Sequence, residues 1–205
     1  MTAGSCPSPL QEQACAWRRG LRIPAAMILL VLLVSCSSTP PVTYDLNPVA
    51  GPFVARAGRG QLVIEEPTAS LPVDSQRIVI RTSDEALAYL KGAQWADQLP
   101  SLVQARLIET FENAHVLRAV GRPGMLADHD LQTDIRRFEV DVVRGEAVVE
   151  ISARIADMSG RILQARVFTA KVPAASDNGP TIAAALDAAL GQVMREIVAW
   201  AAPRA

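Results

Sequence analysis

Ala147-Val148-Val149-Glu150-Ile151-Ser152-Ala153-Arg154-Ile155 is the stretch on which the reading of the fold turns. Ala147, Val149, Ile151, Ala153 and Ile155 fall on one side of an extended chain, and Glu150, Ser152 and Arg154 on the other. A period of two with one apolar side is the pattern of a strand covering a core on one face only. Asp157-Met158-Ser159-Gly160-Arg161 follows and supplies a tight turn, Gly160 being free to take a positive φ. A return strand then runs from Ile162 to Val172 and stops at Pro173.

The strand before this pair carries a conflict. Leu131, Thr133 and Ile135 share one parity, whereas Phe138, Val140 and Val142 take the other. Both sets can reach one core only if an extra residue is inserted between them, so the spacing predicts a β-bulge near Arg136-Arg137. Further back, residues 115–120 read as a short strand closed by Gly121-Arg122-Pro123-Gly124. Leu99, Leu102, Val103, Leu107, Phe111 and Ala114 repeat at helical spacing, which predicts an amphipathic helix from Pro100 to Ala114. The stretch before it, holding Tyr89 and Trp95, reads as irregular. Residues 77–82 and 61–65 read as strands, and 43–46 as a short edge strand.

Towards the C-terminus, Asp177-Asn178-Gly179-Pro180 reads as a loop into a second helix that runs to Ala201. Its stripe is Ile182, Leu186, Ala189, Leu190, Val193, Ile197 and Trp200. The order is β-β-α-β-β-β-β-α. That order predicts an α+β, two-layer sandwich: a mostly antiparallel sheet with two amphipathic helices on one face.

The N-terminal end has a different composition. Arg18, Arg19 and Arg22 precede an apolar run from Ile23 to Val34, and Leu33-Val34-Ser35-Cys36 closes it. A basic flank, a short apolar core and small residues are the layout of a secretory signal peptide, too short to span a bilayer. The cysteine directly after Leu-Val-Ser resembles a bacterial lipobox, so residues 1–35 read as a lipoprotein signal and Cys36 as the lipidated residue. Residues 36–60, rich in Pro, Gly and small polar side chains, read as a flexible tether, and 61–202 as a single domain. Loss of the leader removes Cys6 and Cys15, so no internal disulfide is expected. It also moves the formal net charge from −1 to −3, which offers no basic stripe for nucleic acid.

Chemistry-bearing motifs are scarce. His115 and His129 are the two histidines, and Asp128-His129-Asp130 reads as a solvated loop rather than a metal site. No nucleophile elbow, Walker loop, dinucleotide-binding glycine motif or His/Glu zinc motif occurs. The expectation is a protein that is not an enzyme and needs no metal or cofactor beyond the covalent lipid on Cys36. Aromatic residues make up 4% of the chain, so each is either core filling or contact surface. Trp200 completes a helical stripe and reads as core. Tyr44, Tyr89 and Trp95 are the candidate partner contacts, although packing is the stronger reading of Trp95.

These residues together resemble the ABC-type transport auxiliary lipoproteins. The resemblance rests on Tyr44-Asp45-Leu46 soon after Cys36, the strand Ile78-Val79-Ile80-Arg81, and Tyr89 followed by Trp95-Ala96-Asp97-Gln98-Leu99-Pro100. It continues in Arg137-Phe138, Arg166-Val167-Phe168 and the closing helix, and covers residues 42–200. It implies a non-catalytic subunit of an ABC/MCE-type system that moves lipids between the two membranes of a Gram-negative envelope. The implied partners are an MCE-domain protein with its ABC permease and ATPase, the membrane, and further copies of the chain. Ser37 after the lipidated cysteine, rather than Asp, favours the periplasmic leaflet of the outer membrane. Two other readings share this composition: an assembly or pilot lipoprotein for an outer-membrane β-barrel or secretin, and, ranked lower, a lipid carrier with its own cavity.

Overall fold

A computed structural model describes residues 39–174 and 178–205. The leader, Cys36 and Ser37 lie outside the described residues, as does Asp177. The chain divides into two units, Met1–Thr39 and Pro40–Ala205, and the second carries every element below. In chain order these are β1 (Val42–Tyr44), β2 (Gln61–Ile64), β3 (Thr68–Ala69), β4 (Arg77–Arg81), β5 (Leu87–Trp95) and α1 (Leu99–Ala114). They continue with β6 (Ala119–Gly121), β7 (His129–Asp141), β8 (Glu146–Asp157), β9 (Ile162–Pro173), α2 (Gly179–Ala201) and a 3-10 turn over Ala202–Arg204.

The sheet is assembled on β7. Antiparallel β8 pairs along its whole length, from His129↔Asp157 to Asp141↔Glu146. On the other flank three short strands succeed one another, all parallel to β7: β2 at His129–Leu131, β3 at Asp134 and Ile135, and β4 at Glu139–Asp141. β6 extends the sheet beyond β2, and β5 then β1 extend it beyond β4. β9 forms the opposite margin, antiparallel to β8.

The nine strands therefore make one mixed sheet, which corrects the expectation of a mostly antiparallel one. Its antiparallel half, β7-β8-β9, joins sequence neighbours through tight turns, and here the pattern reads through to the structure. The parallel half joins β2, β3 and β4 to β7, with α1 and β6 intervening in sequence. Strand direction in such pairs is set by the crossover and not by residues of either strand. β5 is also a correction, since residues 87–95 read as irregular. Gly92, at φ +70°, interrupts the strand, and the register with β4 jumps from Arg77↔Gln94 to Val79↔Tyr89. Pairing with β4 and β1 on its two sides overrides the weak local pattern.

The predicted bulge is present. Ile135 pairs with Ile151 and Arg137 with Glu150, leaving Arg136 as the extra residue. The inserted residue lets Leu131, Ile135, Phe138 and Val140 all enter the core. Ala147, Val149, Ile151, Ala153 and Ile155 of β8 do the same.

Both helices bury their stripes in that core. α1 starts with Pro100 in its first turn, buries Leu99, Leu102, Val103, Leu107 and Phe111, and ends at His115 in a left-handed cap, φ 51°. Asn178 caps α2, its side chain accepting from the Thr181 backbone N–H at 3.0 Å. α2 lies across β8 and β9 with α1 beside it. Buried alanines on both partners, Ala147 and Ala153 on the sheet and Ala185 and Ala189 on the helix, allow a close approach.

Residues 42–60 are not a free tether. Leu46 and Val49 are buried in the core, and the chain from Tyr44 to Gly60 follows α2 from its first turn to its last. Asn47 binds Asp187 of α2 through its backbone N–H and its side-chain amide, at 2.7 and 2.9 Å. Val49 is held by α1: its N–H donates to Thr110 Oγ1 at 3.0 Å and its carbonyl accepts from Asn113 Nδ2 at 3.1 Å. Asp45 pairs with Arg106 of α1 at 2.9 Å. The Gly58 N–H then donates to the Val116 carbonyl at 2.8 Å. Composition favoured an extended, proline-containing chain, and that is what forms, but as a strap across both helices rather than a coil in water.

Candidate functional site

The three candidate contact residues do not form one patch. Tyr44 and Trp95 sit opposite each other on β1 and β5. Trp95 is 1% exposed and meets Phe138 edge-to-face at 5.8 Å, so it has no surface to offer a partner. This corrects its reading as a candidate contact. Strand alternation turns it inward, away from its neighbour Gln94, whose amide reaches Thr43. Tyr44 is half-buried, with its hydroxyl against the first turn of α2: a Cβ on Gly179 would lie 2.9 Å from it. Tyr89 points to the other side of the sheet, where the Arg77 guanidinium covers its ring at 3.6 Å. Among the three, Tyr44 and Tyr89 keep partial exposure, on opposite faces.

The two histidines differ in their surroundings: His129 Nδ1 is buried without a hydrogen-bond partner among the described residues, and His129 and Asp130 lie in β7 rather than in a solvated loop. His115 is the left-handed cap of α1. His129 opens β7, and its neighbour Asp128 accepts the Gln61 backbone N–H at 2.8 Å, tying β2 to the approach of β7. Among the described residues, no three His, Cys, Asp or Glu side chains converge as a metal site would require.

Two charged features escaped the sequence reading. On the sheet face away from the helices, Glu139 is 3% exposed at its side chain and is gripped from two sides. Arg81 of β4 donates to both carboxylate oxygens, at 2.8 and 3.1 Å, and Arg137 donates twice to Oε1, at 2.8 and 2.7 Å. The carboxylate raises the Arg81 pKa above its ordinary value, chiefly through this hydrogen bonding. Two residues on, Asp141 accepts from the Arg144 side chain at 2.5 Å and its backbone N–H at 3.0 Å. Those bonds hold its carboxyl below the usual carboxylate range. The available signal was an acid, Glu139, placed directly between Phe138 and Val140 in an apolar strand.

The second feature is a shallow groove along the outer side of α2. One cavity of about 250 Å³ lies between Pro52–Val54 of the strap and Arg195, Glu196 and Ala199. A second, about 400 Å³, shares Glu196 and Ala199 and continues to Arg166, Trp200 and Arg204. Each arginine sits over a ring: Arg195 over Phe53, Arg166 over Phe168, and Arg204 over Trp200, at 5.5, 4.9 and 5.7 Å. Phe168 and Trp200 meet edge-to-face beneath. Arg204 also donates to the Gln164 side chain and the Trp200 carbonyl. Sequence periodicity marked Trp200 as core, and it is, but it also floors this groove. The signal available was the pair Arg195-Glu196 on the polar side of the last helix.

No helix among the described residues is long and apolar enough to cross a membrane. An uncharacterised protein of Bradyrhizobium diazoefficiens is 36% identical over 165 residues, which is 78% of this chain; the chain spans 44% of that relative's length. The crystal structure of a Xanthomonas campestris protein of the DUF330 family is 30% identical, with a TM-score of 0.73, covering 78% of this chain and 95% of that one. A crystal structure of a further uncharacterised protein shares the fold at 17% identity and a TM-score of 0.63, over 78% and 97% of the two chains. The family described as the ABC-type transport auxiliary lipoprotein component matches residues 44–198, from the strap through most of α2. That match exceeds half of the chain and takes in the strap, the sheet and both helices. The chain belongs to the ABC-type transport auxiliary lipoprotein family.

Proposed function

We propose that this protein is the lipid-anchored, non-catalytic component of an ABC/MCE-type system that carries lipid across the space between two envelope membranes. The observation that carries the reading is the family match over residues 44–198, because membership brings a transporter partner with it. The lipobox Leu33-Val34-Ser35-Cys36 supplies the anchor, and Ser37 directs it to the periplasmic leaflet of the outer membrane.

The strap changes how such a protein would stand on its membrane. Only six residue steps separate Cys36 from Val42, about 20 Å at full extension. The folded domain is then a close neighbour of the bilayer, and the partner must come to it. Cross-linking of the lipidated protein in intact envelopes, followed by mass spectrometry, tests the reading. Recovery of an MCE protein with its permease and ATPase is the expected result. Recovery of an outer-membrane β-barrel or secretin alone overturns it in favour of an assembly lipoprotein.

A further inference from the structure

We infer that the outer edge of β9, together with the arginine groove beside it, is a docking site for an extended, acidic segment of a partner protein, which adds to the sheet as a further strand. Among the described residues, β9 pairs only with β8; a bulge at Leu163 interrupts its start, and from Gln164 to Val172 the opposite edge carries backbone N–H and carbonyl groups without a strand partner. Natural edges are usually short, bulged or covered, and a long one is a template for strand addition. Ile162, Leu163 and Val167 are exposed along it.

The side chains around the edge state which strand it would accept. Arg166 pairs in register with Ala153 and Phe168 with Ile151, so both lie on the helix side of the sheet. There Arg166 is continuous with Arg204 and Arg195 through the groove. Glu196 is the one acid among the groove's lining residues, and none of the three arginines has a carboxylate within ion-pair distance among the described residues. An added strand would place every second side chain over these guanidinium groups and the intervening ones beside Ala165, Val167 and Thr169. The complementary pattern alternates acidic with apolar residues. A second β9 is a poor match, because residues 162–173 contain no acidic side chain to set against Arg166, and Lys171 adds a further positive charge.

The inference names a class of partner and can fail while the transport reading stands. The test uses the full-length protein in detergent and a fluorescent peptide of about ten residues alternating Glu and Val. Controls are the Lys-Val counterpart, a peptide with the same composition in two blocks, and two forms N-methylated at alternate positions. The expected result is binding of Glu-Val alone and of one N-methylated form but not the other, with exchange protection at every second amide of β9. Arg166→Glu and Arg195→Glu should each weaken binding by about tenfold while the circular dichroism spectrum is retained. Equal binding of the Lys-Val or block peptide, or an unprotected β9, overturns the proposal. So does binding only to phosphatidylglycerol vesicles, which would make the groove a membrane face. Concentration-dependent self-association that protects β9 in the absence of peptide would also overturn it, by making the occupant a second copy.

Discussion

Arg81 holds Glu139 through two parallel hydrogen bonds across the β4–β7 seam, which is parallel and three residue pairs long. The Glu139 side chain is buried, so removing it leaves two partly exposed guanidinium groups without their shared carboxylate. Glu139→Ala should lower stability by about 3 kcal/mol, the low end for a broken buried pair because Arg81 and Arg137 keep some water. Urea unfolding reads this directly. A loss below about 0.5 kcal/mol would make the cluster ordinary surface charge.

Gly58 separates a strap from a tether. A Cβ there would stand 2.1 Å from the Ala202 carbonyl oxygen and 2.8 Å from Leu117 Cδ2, a backbone clash that a rotamer change cannot relieve. Gly58→Ala should cost about 1–3 kcal/mol and expose the strap to proteolysis. In a free linker the same substitution is neutral.

Trp95 behaves as core. Trp95→Ala should cost about 3–5 kcal/mol, the range for emptying a buried aromatic site. If instead the fold keeps its melting temperature and only partner recovery falls, the residue is a contact after all.

Asp141 gives the acid limb of the stability curve a specific source. Its carboxyl is held below the usual range by Arg144, so the folded state favours the ionised form. The resulting stability is fully present above the unfolded-state pKa, near 3.8, and is lost as pH falls through the lower folded-state value. Asp141→Asn should be less stable at neutral pH and should flatten the loss of stability below about pH 4. Parallel acid limbs in the two proteins would assign the effect elsewhere.

Cys36 carries the anchor in the proposed function. Cys36→Ala should move the protein from the membrane pellet to the soluble fraction, since no helix among the described residues could replace the lipid. Persistence in the pellet would require a different attachment.

How much of this was legible follows the distance between partners. β7, β8 and β9 announce themselves because each strand pairs with its sequence neighbour, and the parity conflict between Ile135 and Phe138 located the bulge at Arg136. β5 did not, because Gly92 breaks its pattern and its partners lie on both sides in separate segments. The direction of β2, β3 and β4 was illegible for the same reason. Trp95 could be weighed but not placed, since its orientation depends on β5 being a strand. The Glu139 cluster draws on two segments, β4 and β7, and the arginine groove on the strap, β9 and the C-terminal helix, and no periodicity within one segment can report that. The strap was hidden by composition: prolines and small residues suit a coil and an extended packed chain equally well.

The strap has a mechanical meaning as well. A domain held by its N-terminus and engaged by a partner is a link under tension, and the load would enter at β1. Within a few residues it is divided among three bodies: β5 by strand pairing, α1 through Asp45 and Val49, and α2 through Asn47. In the proposed anchored protein a pull from the membrane would meet these attachments in chain order, β1 first, so resistance to force would be set by the rate at which the β1–β5 pairing opens.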